Sequence, residues 1–294
     1  MLRPAGVILT MSTIKIKFVD FWKGYSPLEC PLYKTIQELT DVVLVETNPD
    51  ILIYSCFGDS HKKYNNCIKV FYTAENRAPD FKECDYSISF MRDSAGGKNL
   101  YLPLGLLTDY ALLRPLTDKE LLNRKFCNFL YSQDGWGEGA KFRKTVCAKL
   151  GAYKFVDCAG RVLNNVKEPS LSKRYDWDWH TSKINYLRKF KFTIAIENTN
   201  AEGYITEKLT DPLFAQSVPI YWGSNGDLDP LSRDGIVCVY DMSTWRELLD
   251  HIIELDNNPK LYLEMCHQNP VLNSTFHDYK DLLRPFLQNF ISKL

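Results

Sequence analysis

Short runs of β-branched and aromatic residues recur along the chain, each closed by turn residues. Ile14–Asp20 (IKIKFVD), Val42–Glu46 (VVLVE), Ile51–Cys56 (ILIYSC), Cys67–Thr73 (CIKVFYT) and Tyr86–Phe90 (YSISF) read as strands. Several are apolar at consecutive positions, the pattern of a strand covered on both faces in a parallel sheet. Tyr33–Thr40 fits a helix between the first two. After Leu100–Leu104 the polar stretch Thr117–Arg124 reads as a linker.

The second half alternates more regularly. Phe126–Tyr131, Tyr153–Asp157, Phe192–Glu197, Val218–Trp222 and Ile236–Tyr240 read as strands; Glu138–Leu150, His180–Lys189, Glu207–Gln216 and Ser243–Leu255 read as helices. Such alternation implies right-handed βαβ crossovers and doubly wound α/β sheets. Two such domains facing one another would place a site in the cleft between them, beyond the carboxyl ends of the strands. The pattern predicts an N-terminal domain over 1–117, a second over 118–270 and a C-terminal amphipathic helix within 271–294. Residues 1–10 are readable as an extension, because Met11 would lead directly into the first strand. In Lys280–Leu294, Leu283, Phe286, Leu287 and Phe290 fall at helical spacing, which predicts a helix docked on protein, packing back onto the first domain.

Composition narrows the class. The 294 residues carry 36 Lys+Arg against 36 Asp+Glu, a net charge of 0, so nothing points to nucleic acid as a partner. With 45% hydrophobic and 24% charged residues the chain is an ordinary folded protein, neither disordered nor fibrous. Nine cysteines occur without a Cys-x-x-Cys pair, and Cys56, Cys127, Cys158 and Cys238 sit inside apolar runs as small hydrophobes. That favours a reducing compartment over a disulfide framework or a zinc site. No stretch reaches the ~20 apolar residues of a membrane span, and MLRPAGVILT is short for a signal peptide. The expectation is a cytoplasmic protein, with peripheral association at the inner face of a membrane as the further option.

The most informative segment is Phe192–Ser224, FTIAIENTNAEGYITEKLTDPLFAQSVPIYWGS. A buried strand ends in Glu197-Asn198, a loop with Gly203 follows, and Thr206 opens a helix as N-cap. Glu207 suits the positive end of the helix dipole; Lys208 opposes it, by about 0.3–1 kcal/mol, so either a bound anion answers it or it points into water.

Taken with Phe71-Tyr72-Thr73-Ala74-Glu75-Asn76, Gly203-Tyr204-Ile205-Thr206-Glu207-Lys208 and Pro219-Ile220-Tyr221-Trp222-Gly223-Ser224, this segment resembles the α-1,3/4-fucosyltransferases, especially the bacterial members. The resemblance covers most of the chain from Met11 onward. It implies a GT-B glycosyltransferase of two Rossmann-like domains, moving L-fucose from GDP-fucose with inversion to the GlcNAc 3-hydroxyl of an N-acetyllactosamine-type acceptor. A Lewis x-type product, in bacterial lipopolysaccharide, capsule or glycoprotein synthesis, would follow. It implies Glu75 as catalytic base, and Asn198, Tyr204, Glu207 and Lys208 as donor-binding residues, with the glutamate at the ribose and the lysine at the diphosphate. Arg143 matches a phosphate-gripping arginine early in the donor domain's first helix. Fixed cations and a helix N-terminus can hold the leaving diphosphate without Mn²⁺ or Mg²⁺, so no cofactor is expected. Trp22 is a candidate acceptor platform, or equally a wedge in the N-terminal core.

Other motifs compete. Gly135-Trp136-Gly137-Glu138-Gly139-Ala140, with Asp157 beyond, approaches a dinucleotide-binding fingerprint, and a plain glycine-rich turn explains it as well. Asp176-Trp177-Asp178 and Asp227-Leu228-Asp229 match the Asp-x-Asp metal pattern, which short matches meet by chance. The five histidines form no ligand pair or triad and read as surface or satisfied core. Another sugar-nucleotide transferase, a nicotinamide oxidoreductase or a silent nucleotide- or carbohydrate-binding module are the alternatives.

Overall fold

Among the described residues two parallel sheets carry eleven strands: β1 (Ile14–Val19), β2 (Val42–Leu44), β3 (Ile51–Tyr54), β4 (Ile68–Tyr72), β5 (Tyr86–Ser89), β6 (Asn99–Tyr101), β7 (Lys125–Phe129), β8 (Val156–Cys158), β9 (Phe190–Ile196), β10 (Val218–Trp222) and β11 (Val237–Cys238). The helices are α1 (Pro31–Leu39), α2 (Asp118–Leu122), α3 (Glu138–Gly151), α4 (Trp179–Leu187), α5 (Glu207–Phe214), α6 (Trp245–Asn257), α7 (Pro259–His267), α8 (Pro270–Asn273) and α9 (Tyr279–Ile291). The computed structural model describes residues 13–107, 114–135, 137–171, 179–224, 228, 231–273 and 278–294. The chain divides into one unit of residues 1–102 with 277–294 and another of residues 103–276.

The first unit holds the six-stranded sheet, in the order β2-β1-β3-β4-β5-β6. Every residue of β3 (ILIY) is buried, as a strand covered on both faces requires. Strand β1 has β2 on one side and β3 on the other, so the winding reverses between β1 and β3. Helix α1 buries Leu32, Tyr33 and Ile36, and α9 returns to the same unit. Lys280 Nζ and Arg284 Nη2 both reach Glu38 of α1, at 2.9 and 2.8 Å, and Phe290 stacks on Tyr86 at 4.7 Å. The face of α9 formed by Leu283, Leu287 and Phe290 is thus covered by protein, and no described helix is long and apolar enough to cross a membrane.

The second unit holds the five-stranded sheet, β11-β10-β9-β7-β8. Its core gathers Phe126, Phe129, Val146, Phe192, Ile194, Ile220 and Trp222. Here the winding reverses between β7 and β9, which puts the crevice favoured by ligands at the carboxyl ends of those two strands.

Four sequence expectations need correction. The boundary lies at 102/103 rather than 117/118. Gly105 N bonds Ile205 O at 3.0 Å, Leu116 N bonds Gln216 Oε1 at 2.7 Å, and Gln216 Nε2 reaches Arg114 O at 3.0 Å, so this segment is tied into the second unit. Val271 and helix α8 also belong there, since Val271 is buried and its N–H is held by Asn269 Oδ1 at 2.9 Å. The linker read over Thr117–Arg124 is helix α2, opened by a capping box in which Thr117 and Glu120 satisfy one another's backbone N–H. The strand expected at Tyr153 begins only at Val156, because Tyr153 and Lys154 close α3 through bonds to Leu150 O. Residues 1–10 lie outside the described residues.

Candidate active site

The donor-side residues assigned from the sequence converge where α3 and α5 begin, at the carboxyl end of β9. The glycine-rich turn explains how α3 gets there. Gly137 caps the helix at φ +79°, and a Cβ on it would stand 2.2 Å from Asn198 O. A Cβ on Gly139 would stand 1.8 Å from Glu197 O, and its N–H bonds Asn198 O at 3.1 Å. These glycines serve a backbone-to-backbone approach. Asp157, the acid a dinucleotide fingerprint would offer to a ribose, lies within β8 and is taken by Lys125 Nζ at 2.5 Å.

Arg143, one turn into α3, is 2% exposed. Its guanidinium carbon lies 4.2 Å from the Tyr131 ring centre, Nη1 donates to Asn198 Oδ1 at 3.2 Å and Nη2 to Gln133 O at 2.5 Å. Nε has no partner, and Arg143 makes no ion pair among the described residues. Burial lowers its pKa from the usual arginine value, the expected sign for a cation out of water. Such a group calls for an acceptor or an anion.

Lys208 lies in the first turn of α5 and does not point into water: its side chain is largely buried. Its ammonium stands 3.2 Å from Thr206 Oγ1, 3.4 Å from Glu207 Oε1 and 3.5 Å from Glu197 Oε2. The charge that opposes the helix dipole is therefore answered by two carboxylates of the chain itself. Burial would depress the lysine, but Glu207 and Glu197 outweigh it and hold the ammonium charged. The same lysine treats its two partners differently. Burial raises Glu197 above the usual carboxylate range, with Lys208 opposing. Burial also acts to raise Glu207, yet Lys208 and Lys183 pull it down to about 2. Tyr204 is buried beside Lys208, and Thr206 caps α5 by accepting from Lys208 N.

In the first unit, Glu75 is exposed just past β4. Its N–H donates to Thr73 Oγ1 at 3.2 Å, Thr73 Oγ1 contacts Cys56 Sγ at 3.2 Å, and Arg77 N bonds Glu75 O at 2.7 Å, so the backbone of that loop is fixed while the carboxylate faces solvent. Trp22 is 45% exposed, set edge-on to Tyr25 at 4.8 Å and Phe57 at 6.0 Å. It is no core wedge. It belongs to an exposed aromatic cluster at the switch between β1 and β3.

A pocket of about 280 Å³ lies beyond β3 and β4, lined by Tyr54, Ser55, Cys56, His61, Arg77 and Glu83 among others. Ser55 Oγ is buried without a hydrogen-bond partner. His61 is stacked on Tyr54 at 4.1 Å, with Nδ1 2.7 Å from Asp20 Oδ2 and Nε2 3.2 Å from Glu83 Oε2. It is the satisfied core histidine the sequence allowed, and it ties three loops together. Asp20 adopts a left-handed φ of +60°, stabilised as its carboxylate accepts from Ser60 N and His61 N.

Sequence reasoning gave no role to Glu197 or Tyr131, and to Thr206 only that of N-cap. A carboxylate ending the apolar run IAI was the available signal for the first. Among the described residues no three His, Cys, Asp or Glu stand together as metal ligands; both Asp-x-Asp matches have aspartates outside the described residues.

Comparison with known proteins also finds two parts. A family model described as the Alpha-(1,3)-fucosyltransferase FucT N-terminal domain matches residues 16–108, and one for the Glycosyltransferase family 10 (fucosyltransferase) C-terminal part matches residues 127–272. The chain is 27% identical over 279 residues to an alpha-(1,3)-fucosyltransferase FucT of Helicobacter pylori, covering 79% of this chain and 54% of that protein. It is 32% identical over 189 residues to a GDP-fucose protein O-fucosyltransferase 3 of Bos taurus, covering 60% of this chain and 38% of that one. The chain thus spans about half, or less, of the length of these relatives. A crystal structure of an alpha1,3-fucosyltransferase superposes with a TM-score of 0.74 at 25% identity, over 97% of this chain and 92% of that one.

Proposed function

The chain belongs to the α-1,3-fucosyltransferase family, with the GT-B arrangement of two parallel-sheet domains, and from that membership we propose that it moves L-fucose from GDP-fucose, with inversion, to the 3-hydroxyl of GlcNAc in a β-galactosyl-1,4-GlcNAc acceptor. The observation that carries this reading is the buried Arg143 with its unpartnered Nε, which shares with Lys208 the neighbourhood of Tyr131 at the strand switch of the second unit. A diphosphate supplies the oxygen that Arg143 Nε lacks and competes with Glu197 and Glu207 for Lys208.

The roles follow from charge. As the bond between fucose C1 and the phosphate oxygen breaks, its electron pair stays on GDP. Arg143 and Lys208 hold that developing charge in a site poor in water, where fixed donors count most. Glu207 meets the ribose, and Asn198 and Tyr204 complete the donor site. Glu75 takes the proton of the acceptor hydroxyl while its oxygen bonds C1 from the opposite face, an assistance of about 10²–10⁴-fold. Trp22 offers its exposed face to the acceptor sugar. With the leaving charge held by side chains, no metal is required. The product is a Lewis x-type structure on a bacterial surface glycan, made in the cytoplasm or at the inner face of the membrane.

A second reading concerns the acceptor alone. The identity to a GDP-fucose protein O-fucosyltransferase favours a protein hydroxyl in place of a sugar. Incubation with GDP-fucose and N-acetyllactosamine, in EDTA, followed by GDP release and NMR of the product linkage, tests the first reading. Turnover only with a Ser/Thr peptide would move the assignment to the second. No GDP release with either acceptor would overturn the enzymatic reading.

A further inference from the structure

Glu197 is 0% exposed just past β9, and its charge depends on a lysine that it shares. Thr206 Oγ1 lies 2.9 Å from Oε1 and 2.7 Å from Oε2, and Thr206 N donates to Oε1 at 2.8 Å. The threonine hydroxyl shares its one hydrogen across both carboxylate oxygens and itself accepts from Lys208 N and Nζ, at 3.3 and 3.2 Å, so Thr206 and Lys208 together hold this carboxylate. Among the described residues Lys208 Nζ, at 3.5 Å, is the cation in ion-pair reach of Glu197, and it is shared with Glu207 at 3.4 Å. The other charged or titratable groups facing this cluster are Arg143 from α3, Tyr131 after β7, Tyr204 before α5 and Lys183 from α4, the last acting on Glu207.

One ammonium therefore serves two carboxylates at a place assigned to a diphosphate. When the nucleotide draws on Lys208, an ionised Glu197 would be left buried, with its cation diverted and a new anion nearby, a strongly unfavourable state for a carboxylate out of water.

We propose that Glu197 is the proton-holding residue of the diphosphate site: it pairs with Lys208 while the site is empty and takes up a proton from solvent when a guanosine diphosphate claims Lys208. The incoming proton binds Oε2, whose O–H then donates to Thr206 Oγ1, while the threonine hydroxyl turns to Oε1. On nucleotide release the proton returns to solvent and the ion pair re-forms. The direction agrees with burial already holding this carboxyl above its ordinary range against the pull of Lys208. The inference rests on the donor-site reading above and adds a consequence: nucleotide affinity falls as pH rises.

The test is calorimetric titration of the full chain with GDP in two buffers of different ionisation heat, beside Glu197→Gln, which keeps the shape and the acceptor for Thr206 N. The wild type should take up about one proton more per GDP than the variant, a difference that cancels the nucleotide's own protonation. Equal proton counts with GDP still bound would overturn the inference and leave the donor site standing. Should the variant fail to fold, the wild type decides. Its infrared difference spectrum on GDP addition should gain a protonated-carboxyl band that moves with ¹³C-glutamate labelling, and absence of that band would overturn the inference. No GDP binding by the wild type would remove both readings.

Discussion

Arg143 Nη1 donates to Asn198 Oδ1 at 3.2 Å, joining the first long helix of the second unit to the loop after β9. The amide fixes one edge of the guanidinium, Tyr131 covers its face, and Nε remains without a partner. Arg143→Lys keeps the charge but loses the planar fork and the ring contact. GDP should bind about tenfold to a hundredfold more weakly, since a hydrogen bond to a charged group contributes about 1.5–3 kcal/mol, and GMP should lose less. Calorimetry with both nucleotides checks this; equal losses would put the arginine's partner somewhere other than the terminal phosphate.

Gly139→Ala should destabilise the second unit. Its Cβ would sit 1.8 Å from a backbone oxygen, Glu197 O, which no side-chain rotation can relieve. Forcing the helix away from β9 should cost at least about 2 kcal/mol, seen as a Tm lowered by roughly 5 °C. Gly135→Ala, with nothing within 4 Å of its added Cβ, is the control and should leave Tm unchanged.

Much of this was legible in the sequence where the signal is local. The apolar runs located the strands to within a few residues, because a parallel strand covered on both faces leaves an uninterrupted apolar run. The N-cap at Thr206 was equally plain. Thr117-x-x-Glu120 and Asn258-Pro259 were start signals of the same local kind, yet a polar stretch and an unmarked one hid helices α2 and α7. What could not be read was long-range pairing. Nothing in the spacing of Lys208 announces two carboxylates around it, one of them eleven residues upstream. Nothing in GWGEGA says that Gly137 and Gly139 answer to the backbone of Asn198 and Glu197. The domain boundary failed for the same reason, since Gln216 captures residues a hundred positions earlier.

Glu207 makes stability depend on acid in a definite direction. Its carboxyl is depressed from an ordinary 4.5 to about 2, so the unfolded chain binds that proton first. The contribution is fully present above pH 4.5 and is lost as pH falls through about 2. A Tm series by circular dichroism over that window should fall more steeply for the wild type than for Glu207→Gln. Parallel curves would mean that Lys208 and Lys183 do not stabilise the charged form.

Trp22→Ala tests the acceptor side of the proposed function. Because the ring is half exposed and edge-on to its aromatic neighbours, its loss should raise the acceptor KM about fivefold, roughly 1 kcal/mol of face contact, and leave GDP affinity alone. An unchanged acceptor KM would assign the cluster to structure only.

Glu75→Gln isolates the chemical step. The loop backbone is held by Thr73 Oγ1 and by the bond from Arg77 N to Glu75 O, neither of which uses the side-chain carboxylate, so the amide should sit where the acid sat. A glutamine cannot take the acceptor's proton, and kcat should fall about 10²–10⁴-fold. GDP affinity should be unchanged, because the proposed role acts on the acceptor hydroxyl and Glu75 lies in the first unit while Arg143 and Lys208 lie in the second. Steady-state kinetics beside GDP calorimetry separates the outcomes. A fall in kcat with intact GDP binding identifies a base, because an interaction made only in the transition state lowers kcat without weakening ground-state binding. A loss of GDP affinity would instead make Glu75 part of the donor site and leave the acceptor hydroxyl without its base.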